Sequence, residues 1–230
     1  MNGKGKNLMG TLYIIPTPIG NLKDITLRAL EVLKEVDLVA CEDTRRTIKL
    51  LNHYNIHKQL TSYFSYNKVE KAKYLTSLLR QGKKIGLVCN AGTPGISDPG
   101  YLVIKEAIEE GFKVVSLPGA CAAICGLVSS GLSTDGFVFG GFLPRKEGKM
   151  KKLVKSLSSL GKTIVIYESP YRIKKSLGTI CQVLPDADVV VVRELTKLFE
   201  TTIRGKGRDI IDKIDKTPLR GEFTIFIHPS

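Results

Sequence analysis

Residues 85–117 read IGLVCNAGTPGISDPGYLVIKEAIEEGFKVVSL, and this segment indicates the fold class. A short apolar run ends at Cys89, and a loop rich in glycine and proline follows it. Asp98-Pro99 then predicts an N-cap and first helical position for a helix that runs to Glu110. A second β-branched run comes directly after that helix. Strand, crossover helix and strand form the unit from which parallel sheets are built.

The same alternation continues in both directions along the chain. Helical spacing separates most of the apolar runs, and Ser169-Pro170 predicts a second helix start. The short link before the run at 201–204 suggests a hairpin, which makes the second sheet mixed. We expect two α/β domains, residues 1–118 and 119–230, with a linker region at about 118–136, a parallel N-terminal sheet and a mixed C-terminal one. The predicted strands are 11–15, 38–41, 85–89, 114–117, 136–142, 163–167, 188–193, 201–204 and 223–227.

Composition and charge narrow the class of partner. The chain has 230 residues, of which 43% are hydrophobic and 25% charged, as in ordinary globular proteins. Its net charge of +13 favours a polyanionic partner, nucleic acid before an anionic membrane. Residues 114–134 carry no charge and are long enough to span a bilayer, but Pro118 and several glycines interrupt them, which favours a buried core.

Cysteine and histidine usage points to a cytoplasmic protein without a metal centre. The 5 cysteines show no CxxC spacing, so we expect reduced thiols, and the N-terminus has no apolar run of signal-peptide length. His53 and His57 have helical spacing but no HExxH context or third ligand, so no metal is expected.

Three loops rich in glycine and proline lie at predicted strand ends, at 16–22, 90–100 and 117–122. The carboxyl ends of parallel strands form the ligand crevice of an open α/β sheet, so these loops predict a binding site. GxxxxGK[ST] and GxGxxG are both absent, which argues against a Walker-type NTPase and a Rossmann NAD enzyme.

Charged clusters also follow predicted strands. CEDTRR at 41–46 places an acid and two arginines beside a helix start, where Asp43 or Thr44 could serve as the cap. Residues 145–152 hold five bases and one acid, which suits phosphate contacts and equally a solvated helix start. YESPYR at 167–172 and RELTK at 193–197 bring further acids and bases to strand ends, for chemistry or for ion pairing.

With these motifs in view, the chain resembles the tetrapyrrole-methylase family of S-adenosylmethionine-dependent methyltransferases. Within that family it is similar to the branch that 2′-O-methylates a cytidine in small-subunit (16S) ribosomal RNA. The resemblance covers residues 10–228, and CEDTR, AGTPGISDPG and GFLPR in this order are its most specific carriers. It also rests on GTLYIIPTPIGNLKDITLRAL, SLPGACA, YESPYRI, RELTK and RGEF.

The resemblance implies two α/β domains with S-adenosylmethionine in the cleft between them, and a homodimer. It also implies cofactor contacts at Thr93, Pro94, Gly95, Ser97, Cys121, Ala122, Phe142, Tyr167, Gly221 and Glu222. Five positions depart from the family pattern: Asn90 replaces aspartate, Cys121 serine, Tyr171 and Phe199 histidine, and Thr201 glutamate. A mechanism that needs a carboxylate at 90 or an imidazole at 171 is therefore not expected here.

Methyl transfer to a ribose hydroxyl needs a base for the proton or a cation for the developing alkoxide. The sequence does not rank the candidates, which are Glu42, Glu168 and Glu194 as acids, with Lys197 and Arg193 as cations. RNA contacts are predicted at Arg45, Arg46, Arg145, Lys146, Lys149, Lys151 and Lys152. The substrate is either free small-subunit RNA or the assembled 30S subunit. Two alternatives stay open: a tetrapyrrole C-methyltransferase of the same fold, and a non-catalytic RNA-binding assembly factor.

Overall fold

The computed structural model describes residues 10–63 and 68–229. The chain divides into two compact units, Met1–Cys121 and Ala122–Ser230, which we call the N-terminal and C-terminal units. Each unit contains one five-stranded sheet. The prediction of two α/β domains with a parallel and a mixed sheet is confirmed.

The sheet of the N-terminal unit is parallel throughout and has the order β3-β2-β4-β1-β5. Because all five strands run the same way, their carboxyl ends meet at one edge. The short edge strand β3 was missed in the sequence, since its three residues LTS form no apolar run. The strands are β1 (Thr11–Ile14), β2 (Leu38–Cys41), β3 (Leu60–Ser62), β4 (Lys84–Val88) and β5 (Lys113–Ser116).

Helices cover both faces of this sheet. Thr26 and Asp43 cap the first two α-helices by accepting hydrogen bonds from Ala29 N and Arg45 N. The two faces form separate apolar clusters, because neighbouring strand residues such as Ala40 and Cys41 point to opposite sides. The helices are a 3₁₀ turn (Leu22–Asp24), α1 (Leu27–Glu35), α2 (Thr44–His53), α3 (Lys68–Arg80) and α4 (Gly100–Glu109).

The C-terminal unit contains a mixed sheet of order β6-β7-β10-β8-β9. β6 and β7 are parallel, and β10 is antiparallel to both β7 and β8, so β6, β7 and β8 all run in one direction. β8 and β9 form the hairpin that the sequence predicted. The strands are β6 (Phe137–Phe142), β7 (Thr163–Glu168), β8 (Asp188–Arg193), β9 (Thr201–Lys206) and β10 (Phe223–His228).

Three helices of this unit pack over one face of the sheet, where Met150, Leu177 and Ile210 are fully buried. A fourth helix contacts Phe226: a Cβ at Gly126 would lie 2.4 Å from that ring, so only glycine fits there. The helices are α5 (Ala122–Ser130), α6 (Glu147–Ser158), α7 (Ile173–Val183) and α8 (Ile210–Asp215).

Two predicted helix starts were too early, by one residue for α4 and by two or three residues for α7. α4 begins at Gly100 with Pro99 at the cap position, because the Asp98 carboxylate bonds the amides of both Gly95 and Gly100 and closes a loop instead. α7 begins only at Ile173, since Ser169 first forms a turn whose carbonyl accepts from Arg172 N and Ile173 N.

The uncharged segment at 114–134 divides between β5, a loop and α5. None of the helices in the described part of the chain has both the length and the apolar composition of a membrane-spanning segment.

Candidate functional site

In the N-terminal unit, the loops after β1, β4 and β5 gather at the carboxyl edge of the sheet. Thr17 and Gly92 exchange two backbone hydrogen bonds of 2.9 Å, which join the first loop to the second. The Thr93 hydroxyl donates to Ala120 O at 3.0 Å and joins the second loop to the third. The three motifs that the sequence placed at strand ends are therefore connected to one another.

The loop at 92–98 has a conformation that ordinary residues rarely adopt. Gly92, Gly95 and Ser97 have φ values of 83°, 92° and 62°. The Asp98 carboxylate holds the turn by accepting from Gly95 N at 2.8 Å. Of the predicted cofactor residues, Thr93, Pro94, Gly95 and Ser97 all lie in this loop, with Pro94 buried and Ser97 exposed.

Asn90 lies at the start of the same loop, and its buried side-chain oxygen, Oδ1, has no hydrogen-bond partner among the residues that the structure describes. A buried acceptor without a donor is costly, so such an atom marks a place where a ligand donor fits. Glu42, which follows β2, accepts a hydrogen bond from the backbone of Asn90. Burial raises the pKa of Glu42 above its ordinary value, and nearby Asp98 raises it further.

Two buried groups support this edge from below. Burial and the charge of Asp98 raise the pKa of the Cys89 thiol to about 12, so the thiol stays protonated. The fully buried Tyr63 hydroxyl donates to Val88 O at 3.2 Å, and burial raises its pKa as well. Neither group is a reactive nucleophile, and both stabilise the strand ends that present Glu42 and Asn90.

In the C-terminal unit, β6, β7 and β8 end at the same edge of the mixed sheet at which β10 begins. We call this the 194–222 edge. It holds an ion cluster in which Lys197 Nζ donates to Glu194 Oε1 at 2.8 Å and to Glu222 Oε2 at 2.9 Å. The amide of Glu222 donates to Glu194 Oε1 at 2.9 Å. Sequence reasoning assigned Glu222 to the cofactor, but its carboxylate binds Lys197.

The contacts within the cluster keep Glu194 and Lys197 ionised at neutral pH. Partial burial alone would lower the pKa of Lys197, but its hydrogen bonds with the two carboxylates outweigh burial and raise it. Burial likewise opposes ionisation of Glu194, yet Lys197 and the Glu222 amide hold its pKa below the ordinary value. The arrangement presents one ammonium group between two carboxylates.

Strained backbone conformations position the side chains of this cluster. Glu194 and Thr196 have φ values of 52° and 67°, in a region of backbone conformation that residues other than glycine seldom occupy. Gly221 has a φ of 94°, and a Cβ there would lie 2.3 Å from Glu194 Oε1. Gly221 was predicted as a cofactor contact; in the structure it leaves the space that the Glu194 carboxylate occupies.

Arg193 and Glu168 are buried and fully engaged with their own unit. Arg193 donates to Arg220 O at 2.7 Å and to Phe199 O at 3.1 Å, and so pins the β8–β9 loop. Glu168 accepts from Ser169 N at 2.8 Å and from the Ser176 hydroxyl. Both geometries suit positioning better than proton transfer.

Aromatic side chains lie beside the start of α5. The Tyr167 hydroxyl accepts from Ala123 N at 3.1 Å, and its ring makes edge contacts with Phe139 and Phe142 at centroid distances of 5.0 and 5.9 Å. Phe142 is half exposed, so part of its ring is available to a ligand. Ala122, the first residue of α5, directly precedes Ala123, and Cys121 ends the other unit.

The predicted RNA contacts differ in how free their charges are. Arg45 forms a 2.9 Å ion pair with Asp43, and the Arg45 guanidinium lowers the pKa of Asp43 to about 2. Lys151 pairs with Glu147 at 2.8 Å. The remaining candidates are exposed and take part in no ion pair formed by the described residues: Arg46, Arg145, Lys146, Lys149 and Lys152.

The sequence did not reveal the roles of Asp98 and Ser176 in holding the site residues. The sequence predicted Asp98 as a helix cap. Its hydrogen bond from Gly95 N depends on the closure of the loop, which residue spacing does not reveal. Ser176 meets Glu168 only because α7 packs back on β7. For the described residues, no group of three or more His, Cys, Asp or Glu side chains is arranged to hold a metal ion.

Comparisons with known proteins agree with this architecture. The model of the tetrapyrrole (corrin/porphyrin) methylases matches residues 11–211. Solved structures with the same fold include a cobalt precorrin-4 methyltransferase, 18% identical with a TM-score of 0.69 over 99% of this chain and 97% of that one. Another is uroporphyrin-III C-methyltransferase from Thermus thermophilus complexed with S-adenosylhomocysteine, 15% identical with a TM-score of 0.66 over 94% and 97%.

Among curated proteins, a ribosomal RNA small subunit methyltransferase I of Streptococcus pyogenes is 46% identical over 97% of this chain and 78% of its own length. The enzyme of that name from Bacillus subtilis is 43% identical over 100% and 79%. The one from Thermotoga maritima is 43% identical over 95% and 98%. The chain therefore belongs to the tetrapyrrole methylase family, in its ribosomal RNA small subunit methyltransferase I branch. Its predicted class, an S-adenosylmethionine-dependent methyltransferase, is confirmed.

Proposed function

We propose that this chain transfers a methyl group from S-adenosylmethionine to the ribose 2′-oxygen of a cytidine in small-subunit ribosomal RNA. The identity of 43–46% to relatives named for small-subunit ribosomal RNA, over almost the whole chain, carries this proposal. The net charge of +13 supports an RNA substrate, since a polyanion is attracted to a basic surface.

The residues of the N-terminal edge fit the cofactor. S-adenosylmethionine presents amino and hydroxyl donors, and the buried Oδ1 of Asn90 is an acceptor that needs one. The 92–98 loop brings backbone close to a ligand without a Cβ at Gly92 or Gly95. Residues 90–100 contain no lysine or arginine, which suits a sulfonium nucleoside rather than a nucleotide phosphate.

When bound, S-adenosylmethionine supplies an activated methyl group on a sulfonium. The chain's own residues must orient the ribose and manage the hydroxyl proton. Glu42 is half-buried with a raised pKa, so we assign it the general base. In the C-terminal unit, Lys197 stays an ammonium group between its two carboxylates, and we assign it a charge-stabilising role in the reaction. Glu168 and Arg193 hold the strand ends in place.

Exposed lysine and arginine side chains would contact the RNA backbone. Five of these side chains can pair with phosphates directly: Arg46, Arg145, Lys146, Lys149 and Lys152. Arg45 and Lys151 must first break their ion pairs with Asp43 and Glu147. We expect the assembled 30S subunit or its free RNA as the substrate, a homodimer as the working form, and the cytoplasm as the place of action.

Methyl transfer from radiolabelled S-adenosylmethionine tests the proposal. Label should enter 30S subunits or 16S RNA from cells that lack their own enzyme of this branch, and not 50S subunits or uroporphyrinogen. The phosphodiester bond on the 3′ side of the modified nucleotide should survive alkaline hydrolysis, because the attacking 2′-hydroxyl is blocked. Enzymatic digestion of the RNA should release 2′-O-methylcytidine.

The Lys197→Ala variant is the matched control, and it should bind cofactor while losing transfer. Label on uroporphyrinogen alone would show a tetrapyrrole enzyme instead. RNA binding without cofactor binding or transfer would show an assembly factor, and either result overturns the proposal.

A further inference from the structure

Three large apolar side chains project into solvent at the 194–222 edge. Tyr171, in the turn after β7, is 96% exposed, and Leu198 and Phe199, in the β8–β9 loop, are 89% and 68% exposed. β7 and β8 run in the same direction with only β10 between them, so their ends are about 10 Å apart. Such a grouping of exposed apolar side chains marks an interaction surface.

The backbone beneath this surface is held rigidly. Arg193 donates to Phe199 O at 3.1 Å, and Thr196 N donates to Glu200 Oε2 at 2.6 Å. The turn at Tyr171 is held by Ser169, whose hydroxyl accepts from Tyr171 N at 3.3 Å. Loops fixed in this way present their side chains at little further cost in conformational entropy when a partner binds.

Exposed cations at the same edge are available to an anionic partner. Its acids are engaged within the unit, Glu194 and Glu222 with Lys197, and Glu200 with a backbone amide. Arg145 and Lys146 follow β6 at this edge, and both are exposed. Within the described ranges neither takes part in an ion pair, so the edge presents unpaired cations beside apolar side chains.

We propose that Tyr171, Leu198 and Phe199 form a platform on which unpaired bases of the RNA substrate stack, while Arg145 and Lys146 contact the neighbouring phosphates. Aromatic faces stack on any base, and a basic groove follows the backbone, which together bind single-stranded RNA. The inference rests on the proposed function and extends it, since it states that the substrate segment is single-stranded.

Fluorescence anisotropy with a fluorescein-labelled oligocytidylate tests the platform. We expect Tyr171→Ala and Phe199→Ala each to weaken binding about 5- to 140-fold, the range for losing one stacked base. Their slopes of log affinity against log salt should equal the wild-type slope, because stacking releases no counterions. Tyr171→Phe keeps the ring and should bind like the wild type.

The matched control is Leu160→Ala. Leu160 is also exposed, but it lies between α6 and β7, at the opposite edge of the sheet, and its loss should leave binding unchanged. All these positions are exposed, so circular dichroism should show every variant folded.

Three outcomes overturn the inference: unchanged affinity of both alanine variants, an affinity loss accompanied by a smaller salt slope, or equal binding to a duplex of the same sequence. A change in oligomeric mass on light scattering, with RNA affinity intact, would assign the surface to a second copy of the chain. If wild-type protein binds the oligomer but methylates no RNA, the proposed function fails while the platform stands.

Discussion

Replacing Gly221 with alanine would place a Cβ atom 2.3 Å from Glu194 Oε1 and 2.4 Å from its carboxyl carbon. Contacts this short cannot persist, so the carboxylate must move away from Lys197 Nζ and from the Glu222 amide, which it now bonds at 2.8 and 2.9 Å. The φ of 94° at Gly221 adds strain for any residue with a side chain.

The two effects can be given rough sizes. A non-glycine residue in a left-handed conformation costs about 1–2 kcal/mol, and losing hydrogen bonds of a partly exposed ion pair costs about 1–2 kcal/mol more. We therefore expect Gly221→Ala to lower the free energy of unfolding by about 2–4 kcal/mol. If Lys197 acts in methyl transfer, a displacement of about 1 Å should also slow turnover about 100-fold.

Urea denaturation followed by circular dichroism and single-turnover methyl transfer measure the two effects. Gly178→Ala is the matched control, since Gly178 lies within α7 and a Cβ there meets nothing within 4 Å. That variant should be as stable as the parent or about 0.5–1 kcal/mol more stable. A Gly221→Ala variant with the parent's urea midpoint and turnover would refute the account of the Glu194–Lys197 cluster.

Three further predictions concern titration and reactivity. The pKa of Glu194 is lowered from 4.5 and that of Lys197 is raised from 10.5, so the stabilisation from this ion pair is complete between these values. It is lost as the pH falls through the folded pKa of Glu194 or rises through that of Lys197. Glu194→Gln should therefore match the parent's stability in acid and be less stable at pH 7, and a constant difference across pH would contradict this. Because burial raises the pKa of Glu42, Glu42→Gln should lose turnover without losing stability at pH 7 in the same urea assay, and full turnover would remove Glu42 as the base. Iodoacetamide at pH 8 should alkylate the exposed Cys125 and spare the buried Cys41 and Cys89, which peptide mass spectrometry checks; early labelling of Cys89 would contradict its pKa of about 12.

Much of the fold could be predicted from the sequence because local patterns carry it. The β-branched run at 188–193 matches β8 residue for residue, and 38–41 matches β2. The hairpin of β8 and β9 followed from the short link between them. β3 could not be found this way, because an edge strand of three half-buried residues has no apolar periodicity.

For the site, the sequence indicated the strand ends at which acids and bases collect. It could not rank Glu42, Glu168 and Glu194, because all three follow strands and look alike in a pattern. Their environments separate them: Glu168 is buried and bonded to Ser169 and Ser176, Glu194 is paired with Lys197, and Glu42 is half-buried with a raised pKa.

The sequence by itself determined the fold class, the family and the set of residues from which a site is drawn, since these depend on local periodicity and on motifs read in order. Tertiary structure decided what the members of that set do. Glu194 and Gly221 are 27 positions apart, and only the pairing of β8 with β10 brings the carboxylate into the space that the glycine leaves. Contacts between distant segments, together with the burial that shifts a pKa, arise when the chain packs, and a linear pattern does not contain them.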